Sequence, residues 1–198
     1  AKLIGAAPRA FARLAYGDRN EGVVGVVRFA GRGLAEVAFE PGRPVLVAEG
    51  VEKPGNLGAI LRSVDAAGLA GVIVCDPRTD PANPATIRAS LGTVFSVPLA
   101  VATTAEVIDW CGAAGRRVVV ATPAATRDWF AADLTGSAAI VVGSEAEGVS
   151  AAWESAAAKR SILLETIRLP MQGIADSLNV SVTAAVLAYE SVRQSQAG

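Results

Sequence analysis

Three stretches of the chain combine glycine with polar side chains at spacings that suit ligand binding, namely residues 49–62, 141–150 and 167–182. The first is predicted to lead from a strand into a helix on which Asn56 and Arg62 lie a turn and a half apart. We therefore expect their carboxamide and guanidinium to converge on one ligand, although a helix cap followed by a surface arginine gives the same spacing. Neither GxGxxG nor GxxxxGK[ST] occurs here, so the familiar phosphate loops are excluded.

The second stretch is a predicted buried strand that breaks into small residues and two acids. Gly143 and Gly148 would let the backbone approach a ligand closely, and Glu145 would lie at the carboxyl end of the strand. A nucleophile elbow is excluded, because Gly-x-Ser-x-Gly is missing and the chain has no histidine to activate Ser144. A plain strand-to-helix turn remains the alternative interpretation.

The third stretch passes through proline, methionine and glycine and enters a helix that is predicted to begin around residue 177. Ser177, Asn179 and Ser181 lie within five positions of one another there. A single hydroxyl or amide is enough to cap a helix, so the surplus of short polar side chains predicts a second role in binding.

The absence of histidine limits the chemistry that the chain can carry out. Imidazole is the commonest general base and a usual zinc ligand, and Ser-His and Cys-His nucleophile pairs require it. Cys75 and Cys111 stand 36 positions apart and form no CxxC pair, which predicts buried free thiols. We therefore expect chemistry that needs no metal.

Charge is distributed unevenly along the chain. The net charge of the whole is −1, but residues 1–62 carry +3 and the remainder carries −4. Nucleic-acid binding normally leaves a basic footprint. The basic first third therefore permits an RNA-facing surface without requiring one, because a solvated charged face gives the same count.

Composition predicts one compact body and no membrane segment. The chain is 52% hydrophobic and 19% charged, and no apolar stretch reaches the roughly 18 residues that span a bilayer. It begins with Ala1 and no secretory leader follows, so we expect a cytoplasmic protein or a trimmed form of one. Turn chemistry at 41–44 places a domain boundary between residues 1–43, with strand-like runs at 22–28 and 34–39, and a body at 44–198.

The body alternates short β-branched runs with helical patterns, which predicts an α/β fold with a parallel sheet and helices on both faces. Strands are expected at 45–48, 71–75, 97–101, 117–121 and 138–142, and helices at about 56–67, 104–113, 150–159 and 177–194. Ligands bind beyond the carboxyl ends of such strands. The last helix is apolar around much of its circumference, so we expect a homodimer that covers outward positions such as Leu187.

Taken together, the three stretches resemble the three motifs of the SpoU/TrmH family of RNA 2′-O-ribose methyltransferases in order and spacing. The likeness rests on Asn-x-Gly-x-x-x-Arg at 56–62, Gly-Ser-Glu-x-x-Gly at 143–148, and Leu-Pro-Met at 169–171 followed by Ser-Leu-Asn-Val-Ser-Val at 177–182. The segment 88–98 also resembles the family between its first two motifs. The resemblance covers about residues 44–193, and residues 10–40 look like the end of an RNA-binding extension.

This resemblance implies a SPOUT fold with a C-terminal trefoil knot and S-adenosyl-L-methionine as cofactor. The cofactor contacts would be Gly143, Glu145, Gly148, Leu169, Pro170, Met171, Leu178 and Asn179, and the catalytic set would be Asn56, Arg62, Glu145, Ser177 and Asn179. Asp176 departs from the family pattern, because many members carry a small or neutral residue there. The implied partners are RNA, with 23S ribosomal RNA favoured over transfer RNA, and a second copy of the chain.

The resemblance also raises a question about Arg62, since the arginine of the first motif is proposed to be the general base in the family. A guanidinium stays protonated in proteins. We expect Arg62 instead to stabilise the developing alkoxide or to grip the adjacent phosphate, with proton loss assisted by that phosphate or by water. Other interpretations are a transfer-RNA 2′-O-methyltransferase, a non-catalytic RNA-binding or ribosome-assembly module, and a nucleotide-binding oxidoreductase. A role in antibiotic resistance is a further option.

Overall fold

The computed structural model describes residues 2–15, 22–29 and 31–197, and these fall into two compact units that divide after residue 30. Among the described residues of the first unit there is one helix, Pro8–Leu14, and residues 22–29 contain no strand. In the second unit, Leu34–Glu36 forms a single 3-10 turn where a strand was expected. The predicted strand-like runs at 22–28 and 34–39 were therefore wrong. A strand needs a partner along its length, and among the described residues of 22–43 only Arg32 makes a β-bridge, to Ala100.

The second unit is built on a six-stranded sheet in which every neighbouring pair is parallel. Its strands are β1 Val45–Glu49, β2 Gly71–Cys75, β3 Leu99–Ala102, β4 Arg117–Ala121, β5 Ala139–Val142 and β6 Leu163–Ile167, in the order β3-β2-β1-β5-β4-β6. The α/β prediction is confirmed. The trefoil knot stays a prediction, because strand order alone does not define how a chain threads.

The first unit contains helix α1, Pro8–Leu14. In the second unit helices lie on both faces of the sheet, and the helices of this unit are α2 Pro54–Ala67, α3 Pro84–Ala89, α4 Thr104–Ala113, α5 Ala152–Ala158 and α6 Val180–Ala197. Side chains alternate along a strand, so Val45 and Val47 of β1 pack with Val107 of α4 and Trp153 of α5. The opposite face of the sheet packs against α2 and α6.

The ends of these helices follow local capping rules. Thr103 caps α4 in a reciprocal capping box with Glu106. Gly68 ends α2 in a left-handed conformation at φ 66°, as its position predicted. Helix α2 begins at Pro54, two residues before the predicted start, because proline is well suited to the first helical position.

Helix α6 is buried along one stripe and exposed along another. Val180, Ala184 and Leu187 are buried, whereas Val182 and Tyr189 are 45% and 53% exposed. The placement of Leu187 as an outward position was therefore wrong, because Leu187 lies on the same buried stripe as Val180 and Ala184. Among the described residues no helix, α6 included, is long and apolar enough to cross a membrane.

Candidate functional site

The three sequence motifs meet at one carboxylate, Glu145, just beyond the carboxyl end of β5. Its Oε1 accepts hydrogen bonds from Asn56 Nδ2 at 3.0 Å and from Asn179 Nδ2 at 2.6 Å. Its Oε2 accepts from Lys53 Nζ at 2.7 Å. Asn179 Nδ2 also lies 3.2 Å from Asn56 Oδ1. One side chain thereby joins the start of α2, the loop after β5 and the start of α6.

The donors around Glu145 fix its charge. The Lys53 ammonium first, and then the Asn56 amide, hold the pKa of the Glu145 carboxyl below its usual 4.5, although partial burial opposes them. The same contact raises the pKa of Lys53. An ionised carboxylate only accepts hydrogen bonds. Glu145 therefore dictates that Asn56 and Asn179 turn their NH₂ groups toward it.

Asn179 uses both ends of its side chain. While its Nδ2 binds Glu145, its Oδ1 accepts from the backbone N of Ser181 at 2.9 Å and from Ser181 Oγ at 2.6 Å, which caps α6. Of the three short polar residues in this stretch, Asn179 thus both caps the helix and binds Glu145, and Ser181 donates to Asn179. The third, Ser177, lies on the wall of a neighbouring cavity.

A cavity of about 440 Å³ opens beside Glu145 between the loops after β4, β5 and β6. It is lined by Gly143, Glu145, Gly148, Leu169, Met171 and Leu178 from the predicted cofactor set, together with Ser177 and Asp176. The predicted Pro170 and Asn179 are not among its lining residues. The structure therefore gathers most of the predicted cofactor residues around one space.

One wall of this cavity escaped the sequence interpretation. Ala121 at the end of β4 and residues 122–124 after it line the cavity alongside the second and third motifs. The available signal is their position at the end of a buried parallel strand, where ligands bind, and the Thr122-Pro123 turn. No distinctive residue type marks this loop in the sequence.

The composition of the cavity suits a ligand that is partly apolar and partly cationic. Leu169, Met171 and Leu178 offer an apolar surface to a flat ring, and Asp176 and Glu145 contribute carboxylates. S-adenosyl-L-methionine combines an adenine ring with a sulfonium and an ammonium, and these residues fit such a group. Asp176, the departure from the family pattern, places its carboxylate where it can attract the positive part.

The loop that carries Glu145 is a tight hairpin whose glycines serve its own packing. Ser144 and Gly148 exchange two backbone hydrogen bonds of 3.0 Å. A Cβ on Gly143 would lie 2.1 Å from the backbone carbon of Gly148. Gly148 itself adopts φ +68°, which favours glycine. Both glycines line the cavity, but the hairpin requires them whether or not a ligand binds.

Arg62 lies apart from this cluster. Its exposed side chain lines an open groove between α2 and α6 of about 520 Å³, with Leu91, Thr93 and Tyr189. Arg62 is six residues after Asn56 on α2, so the two side chains leave the helix about 120° apart. Within one chain the structure does not bring them to a common point.

A buried carboxylate, Glu49, holds several of these elements together. The sequence analysis did not single it out. Glu49, at the end of β1, is 5% exposed. It accepts hydrogen bonds from Thr104 Oγ1 at 2.8 Å, from Trp153 Nε1 at 3.0 Å and from the backbone N of Ser150 at 3.1 Å. These donors belong to α4, α5 and the loop before α5, so Glu49 ties β1 to three other parts of the body.

The chain is an α/β protein with a cavity at the carboxyl edge of a parallel sheet, the place where such sheets bind ligands. A sequence model of the SpoU rRNA Methylase family matches residues 43–189, and the chain belongs to this family. The family prediction drawn from the three motifs is thereby confirmed.

Individual relatives agree with this assignment. The 23S rRNA (uridine(2479)-2′-O)-methyltransferase of Streptomyces viridochromogenes is 34% identical across 92% of this chain, which spans 64% of that enzyme. The 23S rRNA (guanosine-2′-O-)-methyltransferase RlmB of Vibrio vulnificus is 34% identical over 91% of this chain and 73% of its own length. The crystal structure of the SpoU methyltransferase AviRb from S. viridochromogenes, in complex with the cofactor AdoMet, matches with a TM-score of 0.75 and 32% identity, over 85% of this chain and 67% of that one.

Proposed function

We propose that this chain transfers the methyl group of S-adenosyl-L-methionine to a ribose 2′-hydroxyl of ribosomal RNA. The observation that carries the proposal is the convergence of Asn56, Glu145 and Asn179 beside a cavity whose walls suit the cofactor. The names of the rRNA-modifying relatives, and the AdoMet complex of one structural neighbour, support it.

In this proposal the cofactor supplies an electrophilic methyl group, and the chain positions the cofactor and the acceptor ribose. Leu169, Met171 and Leu178 hold the adenine, and the Gly143–Gly148 hairpin forms the adjoining wall. Asn56 and Asn179, fixed by ionised Glu145, orient the acceptor ribose, with Ser177 offering a further hydroxyl from the cavity wall. In-line placement is the main requirement of such a transfer, so histidine is not needed.

Arg62 acts, in this proposal, from the second subunit of a homodimer. Its groove adjoins Tyr189, which lies on the exposed stripe of α6. If two chains paired through that stripe, the groove and the Arg62 of one chain would lie against the partner subunit. The guanidinium would then bind the phosphate or the developing alkoxide of RNA held by the partner, and the proton would leave to phosphate or water.

The proposed substrate is 23S ribosomal RNA in the cytoplasm, with residues 1–43 acting as the end of an RNA-binding extension. The net charge of +3 in residues 1–62 provides the attraction to phosphate that the acidic remainder lacks. Transfer RNA is the second candidate. Methylation of an unmodified transfer-RNA pool in preference to a 23S rRNA transcript would favour it.

Two measurements on the wild-type chain test the proposal. Calorimetry with EDTA present should show S-adenosyl-L-methionine binding at one site per chain, because backbone amides, apolar walls and carboxylates hold it without a metal. Tritiated methyl groups should then enter an unmodified 23S rRNA transcript and be recovered as 2′-O-methylated nucleosides by mass spectrometry. Absence of cofactor binding, or its loss on chelation, would overturn the proposed cofactor site.

A further inference from the structure

A second cavity adjoins the proposed cofactor cavity at Glu145. It measures about 240 Å³ and is lined by Lys53, Asn56 and Glu145 together with Val51, Glu52, Ser144, Ala146 and Val180. The two cavities share Ser144, Glu145, Ala146 and Val180. A group in the second cavity would therefore lie next to the first along Glu145.

Lys53, at the edge of this second cavity, departs from the residue preference of a helix N-cap. It occupies the N-cap of α2, where an acidic or hydroxyl side chain would satisfy free backbone N–H groups, and its own side chain makes no such bond. A cation at this position also faces the positive end of the helix dipole. Departures of this kind are expected where a residue has a functional role.

The ammonium of Lys53 is held at the cavity but remains accessible. It binds Glu145 Oε2 at 2.7 Å while its side chain is 70% exposed. Of the described residues that line this cavity, Lys53 is the only cation. The nearby guanidinium of Arg78 is already shared between Glu52 and Glu147. A phosphate that enters this cavity therefore meets the Lys53 ammonium beside two carboxylates.

We propose that Lys53 binds the RNA backbone phosphate next to the ribose that occupies the second cavity. This inference rests on the proposed function, and it places the acceptor nucleotide where the second cavity meets the proposed cofactor cavity. In the free protein Glu145 keeps the ammonium in place, and on RNA binding the ammonium turns to the phosphate. Asn56, which shares the cavity, then contacts the ribose.

Lys53→Gln and Lys53→Arg test this assignment, with Lys159→Gln as the matched control. Lys159 is an exposed lysine that follows α5, so its replacement removes the same charge from another part of the chain. Lys53→Gln should raise KM for an unmodified 23S rRNA transcript by about tenfold. The slope of log Kd for this RNA against log salt should fall by about 0.7–0.9, the value of one phosphate contact.

Three outcomes would overturn the inference. They are an unchanged KM and salt slope in Lys53→Gln, equal changes in Lys159→Gln, and an altered S-adenosyl-L-methionine affinity with an unaltered salt slope, which would make Lys53 a support for Glu145 only. Lys53→Arg should restore the slope. The binding measurement needs no turnover, so failure of methyl transfer in the wild type would count against the proposed function alone.

Discussion

At the scale of single residues, Glu145 matters because one carboxylate accepts from three donors in two separated segments. Lys53, Asn56 and Asn179 lie 92, 89 and 34 positions from it in the sequence. A carboxylate with these partners stays ionised and has no proton to donate. In the proposed function Glu145 therefore orients the two amides, and the reacting hydroxyl loses its proton to another group.

Replacing Arg62 by alanine should lower methyl transfer by about 100-fold or more, while S-adenosyl-L-methionine affinity stays within a few-fold of wild type. The guanidinium lies outside the cofactor cavity, so its contribution is made to the acceptor in the transition state. Methyl incorporation and calorimetry on the same preparation measure both quantities. Arg62→Lys should rescue poorly, because a point charge does not reproduce the planar fork. Retained activity in Arg62→Ala would show that the site has been assigned wrongly.

Sequence patterns located some of these residues and not others for a physical reason. The polar groups of Asn56, Glu145 and Asn179 stood out because the motifs that contain them are compact. Lys53 and Glu49 take their meaning from partners that lie about 90 to 100 positions away, such as Trp153 Nε1 on Glu49. Nothing in the sequence next to Lys53 or Glu49 indicates those contacts.

At the scale of elements, the hairpin after β5 positions Glu145 relative to its hydrogen-bond donors. Its turn depends on backbone packed against backbone, since Gly143 lies directly over Gly148 and the start of Val149. The two bonds between Ser144 and Gly148 close the loop. The hairpin is therefore a rigid platform that both cavities share.

Gly143→Ala should destabilise the protein by about 1–3 kcal/mol, because the added methyl group has no room and the backbone must move. It should also weaken S-adenosyl-L-methionine binding by about tenfold or more. Gly55→Ala is the matched control, because a Cβ there meets nothing within 4 Å, and we expect it to add about 0.4–1 kcal/mol of stability. Urea unfolding and calorimetry give the two readouts. A Gly143→Ala protein as stable and as tight-binding as the control would contradict the packing argument.

Five of the six strands were predictable because they are buried, apolar runs. Strand β6 was missed because it lies at the sheet edge and combines exposed Leu163 with a charged Glu165, a pattern that a covered strand does not have. The start of α6 was placed too early because Ser177 looked like a cap. The actual cap is Asn179, whose amide also reaches Glu145.

At the scale of the whole molecule, one face remains apolar and uncovered in the single chain. Val182 and Tyr189 lie a heptad apart on α6, and Leu91 is 73% exposed beside the same groove. If two chains pair through this face, the Arg62 of each chain would lie near the site of the partner subunit. The prediction of a homodimer therefore rests on this stripe.

Tyr189→Glu should weaken self-association by about tenfold or more, because a carboxylate buried in an apolar interface is costly. Leu163→Glu is the control, since Leu163 is exposed on β6, away from α6. Sedimentation over a range of micromolar concentrations measures both variants. Leu187 should not be used for this purpose, because it is fully buried and a charge there would unfold the chain. A wild-type protein that is monomeric throughout would remove the basis of the proposed role of Arg62 in a second subunit.

The two cysteines of the chain offer a practical consequence of its packing. Cys75 and Cys111 are both buried, and burial raises the pKa of each thiol to about 12. At pH 7 both thiols are therefore protonated, and the thiol form is not the reactive one. A Gly173→Cys variant would therefore carry one thiol accessible to maleimide dyes, in the loop between β6 and α6. Fluorescence from that single probe could report ligand arrival in real time without removal of the native cysteines.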